Sequence, residues 1–116
     1  MNAQATRLAE TYVQTVNRRD AAAFIAIFAD DAMVDDNGRE FRGRDAIKEW
    51  SDREIFATQV TLEVIDAFER DNEDVIVTKV DGNFDRTGLP DPVIIEQRFK
   101  STSGKITSLT CRLAGQ

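Results

Sequence analysis

Ala5, Leu8, Ala9, Tyr12, Val13 and Val16 recur three and four residues apart, which predicts an amphipathic helix over about residues 3–18. Arg18 and Arg19 in its last turn suit the negative end of the helix dipole. Asp20 is a good N-cap for a second, shorter helix from Ala21 to Phe28, with Phe24, Ile27 and Phe28 as its apolar face and Asp30 and Asp31 stopping it. Met33 to Asp36 and Arg39 to Phe41 read as two short strands around Asn37-Gly38, a strong hairpin signal, and Gly43 closes the hairpin. Helical spacing returns over residues 44–55, with Ile47, Trp50 and Ile55 on one side.

From residue 59 the period changes to two. Val60, Leu62 and Val64 alternate with polar residues, and residues 71–74 are a turn. Val75 to Phe84 is the next strand, with Gly82 a candidate bulge. A Gly- and Pro-containing loop spans residues 86–92. Val93, Ile95, Gln97 and Phe99 share one face of the following strand, residues 101–104 turn, and Leu109, Cys111 and Leu113 alternate in the last strand. Strands joined by short turns form an antiparallel meander, and three amphipathic helices can cover its apolar face. A sheet curved round a helix leaves an open mouth suited to a pocket.

Composition narrows the function. The 116 residues suffice for one domain with a real core, so a single domain over 1–116 is expected. Fifteen basic against 21 acidic residues, with no basic run, argue against nucleic acid and anionic membranes as partners. With no histidine there is no Ser-His or Cys-His pair, and a metal site has few ligands. No metal and no cofactor are expected. The lone Cys111 excludes an intramolecular disulfide and reads as a small core residue. The absence of an apolar leader or spanning stretch makes the cytoplasm the expected location. Asp71, Glu73 and Asp74 lack the spacing and glycine of a calcium loop, which favours a solvated turn. Lys79 and Asp81 share strand parity as a solvated or dimer-facing pair.

The run Phe28-Ala29-Asp30-Asp31-Ala32-Met33-Val34-Asp35-Asp36 resembles the nuclear-transport-factor-2-like superfamily, in its SnoaL-like and ketosteroid-isomerase-like branches. Tyr12-Val13, Gly43 followed by Ala46-Ile47-Lys48-Glu49-Trp50, and the four closing strands carry the same resemblance over nearly the whole chain. It implies an α+β fold: a cone-shaped barrel, three N-terminal helices packed on a curved mixed, mainly antiparallel sheet, cystatin-like in its α-β(2)-α-β(4) order. Ketosteroid isomerases have a pocket tyrosine, a general-base aspartate ending the first short strand and a protonated aspartate on a later strand. Motif for motif, the tyrosine falls on Tyr12, the base on Asp36 and the third position on Ile95, which cannot donate a hydrogen bond. Any steroid isomerase activity is therefore expected to be weak.

The candidate chemistry is proton removal beside a carbonyl, with Asp36 as base and Tyr12 as donor to the developing oxyanion. Each has a plainer reading. Asp36 immediately precedes a turn, and Tyr12 is a fitting core aromatic. Asp35 and Asp36 point to opposite faces of a regular strand, so at most one lines the cone. The expected ligand walls are Met33, Trp50, Phe56 and Leu62, then Ile95, Gln97, Phe99 and Leu113. Val16, Phe28, Val64 and Leu109 are further candidate walls. Gln97, a buried amide among apolar neighbours, is either a ligand contact or bonded to a neighbour. Two functions fit: a cofactor-free acid/base enzyme, isomerase or lyase, acting on a small hydrophobic molecule, and a non-catalytic binding or dimerisation module. Apolar residues on both faces of the later strands, Ile94 beside Ile95 and Val75 and Val77 beside Ile76, lead to the expectation of a homodimer.

Overall fold

A computed structural model describes residues 3–114. Helix α1, Ala3–Asn17, is followed by α2, Ala21–Ala26, whose N-cap Asp20 accepts a hydrogen bond from the Ala23 N–H at 3.1 Å. Asn17 fixes the end of α1 to the sheet: its side chain accepts from the Leu62 N–H at 2.7 Å and donates to the Leu62 carbonyl at 2.9 Å. That clamp determines where Tyr12, one face up the helix, lies over the strands.

Strand β1, Phe28–Asp36, starts five residues earlier than the local pattern indicates, and α2 is correspondingly shorter. Asp30 and Asp31 lie within the strand, exposed, rather than stopping a helix. The cause is tertiary. Phe28 pairs with Ile106 in a parallel ladder to the last strand, and the Ile106 N–H donates to the Ile27 carbonyl at 2.8 Å. Asn37 and Gly38 both have positive φ (49° and 93°), as a tight hairpin turn requires, and lead into β2, Arg39–Arg42.

Helix α3, Arg44–Ser51, continues into a single π-helical turn, Asp52–Phe56, instead of running uniformly to residue 55. The Ala57 N–H reaches back five residues to the Asp52 carbonyl at 2.9 Å. Strands β3, Thr61–Arg70, β4, Glu73–Asp81, β5, Val93–Thr102, and β6, Lys105–Leu113, complete the fold. The β3–β4 turn is the pair Asp71-Asn72 alone, both at positive φ. Gly82 is no bulge: β4 ends at Asp81, and a Cβ on Gly82 would lie 3.0 Å from the Thr58 carbonyl and 3.1 Å from Val60 Cα. Register shifts sit instead at Ile65 in β3, between Phe28 and Met33 in β1, and between Lys100 and Ser101 in β5.

The six strands form one curved, open sheet in the order β2-β1-β6-β5-β4-β3. The meander β3 to β6 is antiparallel, and the parallel β1–β6 pair makes the sheet mixed. The helices fill its concave side. Rings of Tyr12, Phe24, Phe28, Phe56 and Phe99 stack in a chain with centroids 5.2–5.5 Å apart and seal one end of the cone. The other end stays open. Among the described residues no helix is long and apolar enough to cross a membrane.

Candidate functional site

The open end is a cavity of about 280 Å³. Its floor follows from strand parity. On β1, Ala32 and Val34 are buried against the helices, and Asp36, two residues on, opens into the cavity. Asp35 points out of the cone. Its carboxylate takes a bidentate pair from Arg112 at 2.9 and 3.0 Å and accepts the Gly38 N–H at 2.8 Å. Asp35, not Asp36, is thus the aspartate that caps the turn, and the Arg112 hydrogen bonds hold its carboxyl below the usual range.

Asp36 is anchored through one oxygen. Its Oδ2 accepts the Trp50 indole N–H at 3.1 Å and Arg39 Nη2 at 2.6 Å. Glu54 from the π-helical turn holds the same guanidinium at 2.7 and 2.9 Å. Oδ1 has no protein donor among the described residues. Trp50, tilted against Phe41 at 5.9 Å, therefore both walls the cavity and orients the carboxylate.

Tyr12 reaches the same cavity from α1 and is 3% exposed. Burial above all, then Cys111 and the Asp36 charge, raise its phenol well above 10, so it remains a proton donor at any ordinary pH. Cys111 is buried too; its thiol is pushed far up, first by burial and then by Asp36, which makes it a neutral wall.

The ladders set Asp36, Cys111 and Gln97 side by side in one row across β1, β6 and β5. Gln97 is buried and lines the cavity. Its Oε1 accepts from the Thr78 hydroxyl at 3.1 Å, a hydrogen that Thr78 shares with the Ile95 carbonyl at 3.4 Å. The amide N–H₂ of Gln97 is the donor left over. Ile95 sits one row further along, opposite Leu113, and both are walls.

Leu62 also lines the cavity, as does Val16, whereas Met33, Phe56 and Phe99 do not. Met33 shares the outward parity of Asp35. Phe56 is drawn edge-on to Phe24 at 5.5 Å, and Phe99 lies beneath the Tyr12 ring at 5.2 Å. Phe28 and Leu109 belong to the sealed core, and Val64 is 45% exposed at the far edge of the sheet.

Sequence patterning missed Glu54 and the rim formed by Phe84, Asp85 and Leu89. The loop over residues 82–92 is drawn to the mouth where the Asn83 N–H donates to the Thr58 carbonyl at 2.7 Å. Two large apolar residues, Phe84 and Leu89, in an otherwise polar loop were the available signal. Asp81 pairs with Arg86 of this loop rather than with Lys79. Asp71 is exposed in its turn while Asp74 is buried, and no group of three or more metal-ligating side chains occurs among the described residues.

The sequence profile of the SnoaL-like domain matches residues 9–109. Among curated proteins none matches the sequence. Similar solved structures include a candidate polyketide cyclase from Sinorhizobium meliloti, 24% identical over 91% of this chain and 94% of that one, with a TM-score of 0.80. A candidate ketosteroid isomerase from Kribbella flavida is 16% identical, over 97% of this chain and 79% of that one, with a TM-score of 0.78. A Mycobacterium tuberculosis protein in complex with estradiol-17beta-hemisuccinate is 19% identical, over 95% and 93% of the two chains, with a TM-score of 0.77. At these identities the likeness is one of fold.

Proposed function

The chain belongs to the family of SnoaL-like domains, and from that premise we propose that its cavity takes a small, mainly apolar carbonyl compound and moves a proton on the carbon beside the carbonyl. One observation carries this reading: Asp36 and Tyr12 open into the same largely apolar cavity, the carboxylate anchored through Oδ2 with Oδ1 free of donors among the described residues. Oδ1 takes the proton as the C–H bond breaks. The electron pair forms the enolate double bond, and the charge moves to oxygen, where the Tyr12 O–H donates to it. Returning the proton to a conjugated carbon completes an isomerisation and restores the carboxylate. No redox partner is needed.

The volume, about 280 Å³, lies at the lower edge of cavities that enclose drug-sized ligands, about 300–1,000 Å³. A compact substrate is favoured. The steroid-bound relative and the candidate isomerase support a carbonyl or steroid-like ligand class. The second reading is a binding module without chemistry, favoured by the aliphatic Ile95 at the position matched to the family's second acid. The two separate on Tyr12→Phe. Quenching of Trp50, the one tryptophan, measures ligand binding. Loss of α-deuterium from a bound ketone measures chemistry. The enzyme reading expects exchange to fall about 10²–10³-fold with binding nearly unchanged. No exchange in the parent protein, with any of a panel of cyclic ketones that bind, leaves the binding module.

Assembly is part of the proposal. Ile94 and Val77 are half-buried on the convex face, and Ile65 is 52% exposed beside them. The pairs Asp35–Arg112 and Arg70–Glu96 flank these positions. A convex apolar strip bordered by charges of both signs suits an isologous pairing of two sheets. Light scattering at micromolar concentration should return twice the 13.0 kDa chain mass. Ile94→Lys should return the monomer, and a parent protein already monomeric discards this interface.

A further inference from the structure

A second recess, of about 480 Å³, lies between α1 and the free edge of the sheet. Its sides are apolar: Ala9 and Val13 from α1, Val64 and Ala67 from β3, Ile76 from β4. Asp74 lines it as well, although it is only 6% exposed. Its Oδ2 is buried and has no hydrogen-bond partner among the described residues. Unsatisfied buried carboxylate oxygens are costly and uncommon in native structures.

The neighbours aggravate the cost. The ladder sets Glu69 directly opposite Asp74, and like charges in that relation are unfavourable. Burial first and Glu69 second raise the Asp74 carboxyl above the usual carboxylate range, against a smaller downward pull from the positive charge of the N-terminus. Glu10 and Gln14 line the recess from α1, and no Lys or Arg is among the described lining residues. The recess therefore combines apolar walls, more acidic groups than the single N-terminal charge offsets, and a carboxylate oxygen without a donor among the described residues. A metal ion is a poor complement, since no cluster of three or more metal-ligating groups occurs among the described residues.

We propose that this recess binds an organic cation with an apolar body, a primary or secondary alkylammonium, its N–H donating to the Asp74 carboxylate, whose side chain turns toward the ligand to bring out the buried Oδ2, and its chain lying along Val13, Val64, Ala67 and Ile76. The site is separate from the cone and does not depend on the reaction assigned there.

The test uses n-octylammonium, with n-octanol as the neutral isostere, in ¹H–¹⁵N chemical-shift titrations of the whole chain. Expected are shifts at the amides of Val13, Ala67, Glu69 and Ile76, an amine affinity at least 10-fold above that of the alcohol, and loss of this preference in Asp74→Asn. The amide substitution removes a repelled charge, so the variant should unfold at or above the parent's temperature. Equal affinity for amine and alcohol in the parent protein overturns the proposal without recourse to the variant. So does an amine preference that survives Asp74→Asn, or shifts confined to Asp36 and Gln97.

Discussion

Asp36→Asn is expected to lower α-proton exchange of a cavity-bound ketone by about 10²–10⁴-fold, the usual contribution of a positioned general base. Ligand affinity should change only a few-fold. The asparagine Oδ1 can still accept the Trp50 indole N–H and Arg39, which now converge on one oxygen of Asp36. The fold and the ring of Trp50 thus keep their anchor, and what disappears is a group that accepts a proton. Exchange is followed by NMR in D₂O, with Trp50 quenching as the binding control. Unchanged exchange removes Asp36 from the mechanism. Asp35 cannot then take its place, because Arg112 and the Gly38 N–H hold it on the other face of the strand. The isomerase reading falls with that result.

The aspartate pair also marks the boundary of what the sequence reveals. Alternation requires that only one of the two faces inward, but it does not say which. The deciding partner, Arg112, is 77 residues away. Local signals did locate α1, the Asp20 cap and the Asn37-Gly38 turn, because each rests on spacing or on the conformational freedom of one or two residues. The first half of β1 was illegible for the opposite reason. Its polar Asp30-Asp31 has no strand pattern of its own, and the parallel pairing with β6 breaks register across it; only the flanking partners, Phe28 with Ile106 and Met33 with Ser108, carry the chain through as strand. The π-helical turn is hidden likewise, since residues 44–55 have sound helical spacing and the change of hydrogen bonding falls at the end of the segment.

The cavity was legible to the same degree. Tyr12, Asp36, Trp50, Leu62, Ile95, Gln97 and Leu113 were within reach of parity and family pattern, and all seven line it. Met33 illustrates how a strand residue is lost: a one-residue change of parity moves it to the outer face. The loop residues Phe84, Asp85 and Leu89 follow no period, so only the folded path over residues 82–92 reveals them. The row Asp36–Cys111–Gln97 depends on two strand registers at once, one parallel and one antiparallel, and no single stretch of sequence encodes both.

That row changes the expectation for the second donor. Counting along the last strands puts the family's acid at Ile95, and on that basis the oxyanion has Tyr12 alone. In the folded sheet the side chain on Asp36's row is Gln97, two strands and roughly 10 Å across. A ligand lying over Cys111 spans the two. With its Oε1 occupied by Thr78, Gln97 presents the amide hydrogens as its free polar function. Gln97→Leu should therefore slow α-proton exchange by about 10²–10³-fold, the loss usual for one oxyanion donor. Stability should move little. Thr78 retains the Ile95 carbonyl as acceptor, so the apolar replacement leaves its hydroxyl with a partner. Tyr12→Phe combined with Gln97→Leu provides the sharper measurement. Two donors to one oxygen act as a unit, so the double variant should lose less than the product of the single losses. A loss equal to the product means that the two groups contact different parts of the ligand. Exchange at the parent rate in Gln97→Leu confines Gln97 to its bond with Thr78 and leaves Tyr12 as the lone donor.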